Sequence, residues 1–129
     1  MTRCPCSSGR DLNHCCGPYL DGFPAPTAEA LMRSRYSAFV LANEDHLFRT
    51  WHPRTRPTLP HCDGSVTWCG LRIVDVVAGG PGDEEGVVEF IAGFRSSGDG
   101  ALTSELHERS RFTRRAGRWF YVDGEVDPT

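Results

Sequence analysis

The sequence predicts an α+β domain: a curved, cone-shaped antiparallel sheet packed on N-terminal helices, with a cysteine-rich knuckle in front. Three observations predict it. Four of the six cysteines fall between positions 4 and 16, helical periodicity is confined to residues 27–52, and long β-type stretches fill residues 65–124. Helices first and antiparallel strands after give segregated layers rather than alternating βαβ units.

Residues 1–17 are polar and punctuated by Gly and Ser. Cys4-Pro5-Cys6, then eight residues, then Cys15-Cys16, form a four-thiolate set within thirteen positions, with Gly9 supplying the turn. Zinc takes four soft donors in a tetrahedron at about 2.3 Å, so Cys4, Cys6, Cys15 and Cys16 are the expected ligands of Zn2+. Two disulfides and a redox-active thiol pair are the alternatives, and His14 is a competing ligand. Four thiolates close the coordination sphere, which makes the ion structural and its binding a source of folding energy.

Residues 18–26 read as a stiff, Pro-rich connector to a domain over 27–129. Thr27 is the expected N-cap of a helix reaching about Ala42, with Glu29 in its first turn and Leu31, Met32, Tyr36, Phe39 and Val40 as its buried face. Asn43 is set to cap a second short helix that carries Leu47, Phe48 and Trp51 and ends at His52-Pro53. A loop over 53–64 follows.

Strands are expected over 65–78, 87–96, 104–115 and 118–124, joined by turns at 79–86, 97–100 and 116–117. In the third, Leu106, Glu108, Ser110 and Phe112 share one face, and His107, Arg109 and Arg111 the other. Trp119 and Tyr121 share a face of the fourth. Strands of this length curl, and the helix over 27–42 is expected in the concave side, with a pocket between helix and sheet.

Composition excludes several classes. There is no run of about 20 apolar residues, so no helix is expected to span a membrane. Nothing apolar follows the N-terminal Met-Thr-Arg-Cys-Pro, so no secretory signal is expected, and a cytoplasmic location follows as the default. The formal net charge is −3 although all 14 basic residues are Arg, which argues against direct nucleic-acid binding by the whole chain. Arg109, Arg111, Arg114, Arg115 and Arg118 form a local basic patch, read either as a solvated face or as a contact for nucleic acid or ribosome. Cys62 and Cys69 lie outside any ligand spacing and read as buried or loop thiols.

The run from Cys4 to Gly17 resembles the SEC-C motif, similar to the zinc-binding tail of the bacterial preprotein translocase ATPase; it departs at Ser7, where Gly is usual. In the translocase such a knuckle contacts a chaperone and the ribosome, which implies that it can be a docking surface. Pro26–Phe39, Thr50-Trp51-His52-Pro53, His107–Phe112 and Gly117–Gly124 resemble the YchJ-like family of uncharacterised bacterial proteins. That resemblance spans essentially the whole chain. It implies a SEC-C motif on a domain resembling nuclear transport factor two, a cone-shaped α+β fold, and carries no reaction with it.

Within the cone, Arg35 lies one turn from both Leu31 and Phe39, beside the apolar face, and Glu108 and Ser110 lie on the strand face that also carries Leu106 and Phe112. Packing helix on sheet can bring Arg35 and Glu108 together. They then form either an ion pair that orients the helix, or a carboxylate acid/base beside a guanidinium that binds an anionic substrate; the remaining alternative is that the two never meet. His52 reads as a general base or as a helix cap. Tyr36, Trp51, Trp68, Phe94, Trp119 and Tyr121 line a pocket or form core. Two functions compete. The favoured one is an adapter whose knuckle docks a protein or ribosomal partner, with residues 27–124 staying folded when zinc is lost. The other is a small-molecule enzyme working by proton transfer or hydration in the cone, with candidates Glu108, Arg35, Ser110 and His52. A third possibility is purely structural zinc with a filled pocket.

Overall fold

The computed structural model describes residues 2–57, 66–96 and 103–127. His61, Cys62 and the turn at 97–100 lie outside them. The elements are α1 (Gly17–Leu20), α2 (Ala28–Leu41), α3 (Glu44–Arg49), β1 (Val66–Ala78), β2 (Glu85–Ser96), β3 (Ser104–Arg115) and β4 (Arg118–Val126). The stretch expected as a connector is partly helical. Pro18 falls in the first turn of α1, where its missing N–H would have had no helical partner. No helix among the described residues is long and apolar enough to cross a membrane.

Thr27 caps α2 as its residue type dictates, accepting from the Ala30 N–H at 3.0 Å. The helix closes at Ala42 in a left-handed conformation. Asn43 caps α3 through the His46 N–H at 3.0 Å. α3 stops at Arg49, short of the expected His52. Trp51 and His52 instead run along β4: the His52 N–H donates to the Tyr121 carbonyl, and the Tyr121 N–H to the Thr50 carbonyl, both at 2.8 Å. This strand-like segment satisfies backbone groups of β4 that would otherwise face solvent.

The four strands form one open antiparallel sheet in the order β1-β2-β3-β4. Register shifts in β1 and between β3 and β4 bend it. At one corner Gly79 and Gly86 touch so closely that a Cβ on Gly86 would come within 2.6 Å of the Gly79 Cα. The Ala28 N–H donates to the Gly79 carbonyl there at 2.9 Å, which pins the start of α2 to the sheet.

α2 is buried around most of its circumference. Leu31, Met32 and Tyr36 are buried as expected, and so are Ala28, Ser34, Arg35, Ser37 and Ala38. Val40, expected on the buried face, is exposed. An amphipathic stripe presumes one packing partner, whereas α2 has α1, α3 and three strands of the sheet against it. The outer sheet face carries ion pairs: Glu89 accepts from His107 Nε2 at 2.6 Å and Arg109 at 2.8 Å, Arg109 also reaches Asp75, and Arg111 grips Asp123. His107 therefore faces away from the interior, as the alternation predicts. Two arginines of the basic patch are thus spent on carboxylates, and Arg114 and Arg118 donate to the Pro81 and Gly22 carbonyls.

Candidate functional site

The four N-terminal cysteines converge. The Sγ atoms of Cys4, Cys6, Cys15 and Cys16 all lie within 4.8 Å of one another, with Cys6 and Cys15 at 3.6 Å. A bonded pair of sulfurs would stand at about 2.05 Å, so Cys6 and Cys15 are not bridged, and all four thiols are free. Tetrahedral thiolates about 2.3 Å from one ion stand roughly 3.8 Å apart, and the set fits that spacing. The thiols share their protons: Cys16 first and the other thiols hold Cys6 well below its usual range, while the bond to Cys6 and then burial push Cys16 up and burial pushes Cys15 up. A metal ion would displace the protons that remain. Four close cysteines of this kind can hold a metal. His14 stays outside the set, its side chain near Asp11.

The cluster is not a separate bead on the fold. Cys4, Cys6 and Cys16 belong to the same buried core as Leu31, Tyr36 and Leu71. Ser37 Oγ stands 3.6 Å from Cys4 Sγ, and Arg33 Nη1 donates to the Cys6 carbonyl at 2.9 Å. Ser7 adopts the left-handed region (φ 67°), which is the physical reason glycine suits this position. Its hydroxyl compensates by accepting from the Leu71 N–H of edge strand β1 at 3.2 Å.

On the sheet side of α2 lies a cavity of about 310 Å³, lined by Met32, Arg35, Tyr36, Phe39, Trp51, Trp68, Phe90, Ala92, Leu106, Glu108, Ser110 and Tyr121. The cavity thus unites three sequence-predicted candidates, Arg35, Glu108 and Ser110. No ion pair joins Arg35 to Glu108 among the described residues. Arg35 Nη1 donates to the Leu47 carbonyl (3.1 Å) and Thr50 Oγ1 (2.8 Å), and its Cζ lies 4.9 Å from the Trp51 ring centroid and 4.6 Å from that of Tyr121. Glu108 Oε2 accepts from Ser110 Oγ at 2.6 Å and from the Tyr121 hydroxyl at 3.0 Å. Tyr121 therefore links the two charges, its ring near the guanidinium and its hydroxyl on the carboxylate. Burial lowers the Arg35 pKa to about 10, leaving it charged at neutral pH. Burial and then the Glu108 charge push the Tyr121 phenol well above its usual range. Gly124 leaves room for the carboxylate: a Cβ there would come within 2.6 Å of the Glu108 Cδ.

His52 is not part of this cavity. Its backbone pairs with β4, its Nδ1 accepts from the Arg54 N–H, and Arg115 Nη1 stands 3.4 Å from Nε2. Tyr121 and Trp51 were legible only as aromatics, since their part depends on the Thr50–His52 segment meeting β4. Thr50, which holds Arg35, entered the sequence reading only within the Thr50-Trp51-His52-Pro53 resemblance, with no role of its own. Cys69 is exposed on β1. His46 is buried beside α2. Ser34 Oγ donates its one hydrogen to the Leu31 carbonyl (2.8 Å), so it accepts from His46 Nε2–H (2.9 Å). Burial, then Arg35 and Arg49, lowers the His46 pKa to about 4.

Comparison with known proteins agrees with this architecture. Residues 27–124 match the family model described as the middle NTF2-like domain of YchJ. A UPF0225 protein of Chromobacterium violaceum is 52% identical over 128 residues, covering 95% of this chain and 92% of that protein. One of Streptomyces coelicolor is 47% identical, covering 95% and 94%. The solution structure of a SEC-C motif containing protein from Rhodopseudomonas palustris superposes with a TM-score of 0.83 at 34% identity, over 98% of this chain and 100% of that one. The crystal structure of one from Psychrobacter arcticus gives 0.75 at 29% identity, over 98% and 83%. The full-length relatives, the NTF2-like cone and the clustered cysteines in front of it agree: the chain belongs to the YchJ-like, UPF0225 family of SEC-C motif proteins.

Proposed function

We propose that this chain is a small-molecule-binding protein whose cone cavity takes the ligand and whose N-terminal cysteines hold a structural zinc ion. One observation carries the reading of the cone: an apolar cavity of about 310 Å³ into which Arg35, Glu108, Ser110 and Tyr121 converge. Few, well-placed polar groups in an otherwise apolar concavity are the general signature of a ligand site. Zinc is the ion that four thiolates at this spacing suit best, and their closed set reserves it for folding. Glu108, Arg35 and Ser110 are the groups a proton transfer in the cavity would use.

The adapter reading draws its support from the SEC-C resemblance and from Arg3 and Arg10, which stand exposed on the knuckle. It is the weaker of the two, because the inner side of the knuckle is occupied by Arg33, Ser37 and Leu71 of the same chain. The test is capture of the zinc-loaded protein from cell extract, with denaturation and mass spectrometry of what is released. Wild type is compared with Ala92→Phe, which fills the cavity. A compound present at near-stoichiometric amount in wild type and lost in the variant is the expected result. A protein partner retained equally by both, with no small molecule, would move the function to the knuckle.

A further inference from the structure

The polar groups of the cavity are unequally spent. Arg35 uses only Nη1 on the protein, for both Leu47 and Thr50, so Nε and Nη2 make no hydrogen bond among the described residues. Glu108 uses only Oε2, for both Ser110 and Tyr121, so Oε1 accepts nothing among them. Arg35 therefore leaves a donor side and Glu108 an acceptor side, and the Trp51 indole N–H is a further buried donor with no partner among the described residues. Among the described residues, Arg35 and Glu108 are also the only charged side chains lining the cavity, one of each sign. The other wall is aromatic: Trp68 meets Tyr36 and Phe39 with ring centroids 6.0 Å apart.

Resting on the small-molecule reading above, we propose that the cavity binds a neutral, flat, apolar-bodied molecule whose edge presents a carbonyl next to an N–H, as in a bicyclic lactam. The carbonyl accepts from the unspent guanidinium nitrogens of Arg35, and the N–H donates to Glu108 Oε1. The ring body lies against Tyr36, Phe39 and Trp68. Neutrality follows from charge balance. Arg35 and Glu108 already compensate each other across Tyr121, so an anion or a cation would bring an unmatched charge between apolar walls. A ligand without the polar edge would cover both groups and satisfy neither, which is how hydrogen-bonding sites reject apolar analogues.

The test is calorimetric titration of the zinc-loaded full chain with four probes of similar size: carbostyril (a bicyclic lactam), naphthoate, naphthylmethylammonium and naphthalene. Backbone NMR shifts at Arg35, Tyr36 and Trp68 report the location. Carbostyril is expected to bind at least about tenfold more tightly than each of the others. In Glu108→Gln, which keeps an oxygen for Ser110 and Tyr121 but leaves Arg35 unopposed, the preference should swing about tenfold or more toward naphthoate. Naphthoate or the ammonium probe winning on wild type would overturn the neutral class while leaving the cavity a ligand site. Naphthalene equal to carbostyril would overturn the role of the polar edge. Silence of all four at the cavity residues would sink the small-molecule reading itself. The wild-type ranking decides the matter even where the variant folds poorly.

Discussion

Arg33 and Arg35 stand two residues apart on α2 and serve opposite ends of the molecule. Arg33 points to the cysteine cluster, where it donates to Glu29 and to the Cys6 carbonyl while staying partly in solvent. Arg35 is buried in the cone, held through one nitrogen and stacked near two aromatic rings. Around Arg33 the metal-type donors are all turned on one another; around Arg35, polar atoms are left unspent beside open space. A donor set that closes on itself stabilises the fold, whereas one held in place and left incomplete is equipped to receive something from outside.

The largest test of that contrast removes the closed set. In Cys4→Ser/Cys15→Ser, bound zinc should be lost and the whole domain should unfold. Metal binding to such thiolate sites contributes on the order of 10 kcal/mol, as much as a domain's entire net stability of about 5–15 kcal/mol. The sequence alone suggested that residues 27–124 would survive; burial of Cys4, Cys6 and Cys16 in the common core argues otherwise. Elemental analysis and thermal melts with and without chelator decide it. A chelated protein melting within a few degrees of the loaded one would make the knuckle a detachable module.

The next effect comes from pH. His46 has a folded pKa of about 4 against 6.5 unfolded. As pH falls below 6.5 the unfolded chain takes up the proton first, so stability present above 6.5 is lost on descending to about 4. The full loss is about 3 kcal/mol. Urea denaturation across this range should therefore slope more steeply for wild type than for His46→Gln, which keeps a donor for Ser34 without titrating. Cysteine protonation affects both proteins alike, so equal slopes would mean that His46 is not buried in its neutral form.

The two arginines give the third comparison. Arg35→Met removes two buried charge-assisted hydrogen bonds and the ring stacking, and should cost about 2–4 kcal/mol. Arg33→Met removes a partly exposed pair and one bond to the knuckle, and should cost about 1 kcal/mol or less. Equal costs in denaturant titrations would remove the distinction between the two ends of α2.

Much of this was legible in the sequence for local reasons. Side-chain caps at Thr27 and Asn43 and the two-residue alternation of β3 are set by neighbours in the chain, and they put Glu108 and Ser110 on the inner face and His107 on the outer. The cysteine set was legible because ligand spacing is itself local. What escaped depended on distant contacts. Val40 lies exposed near the end of α2, His52 was misplaced because the segment after α3 pairs with β4, and the turn at Pro18 packs on α2, a contact that residue spacing does not show. The expected direct Arg35–Glu108 pair became a Tyr121-linked arrangement because a register shift and the Thr50 contact, neither visible in residue spacing, set where each group sits.

The smallest test sits where the knuckle meets the sheet edge. Ser7 carries two opposing contributions: left-handed backbone that a side chain resists, and a hydroxyl that accepts from the Leu71 N–H. Ser7→Ala keeps the strain and loses the bond, and should cost about 1–2 kcal/mol. Ser7→Gly loses the same bond but relieves the strain, so it should be more stable than the alanine variant by about 1 kcal/mol. Denaturant titration of the two zinc-loaded variants beside wild type measures both differences. An alanine variant as stable as the glycine one would show that residue 7 is unstrained. If both matched wild type, the hydroxyl link would contribute nothing, and the knuckle would be held on the domain by its buried cysteines and Arg33 alone.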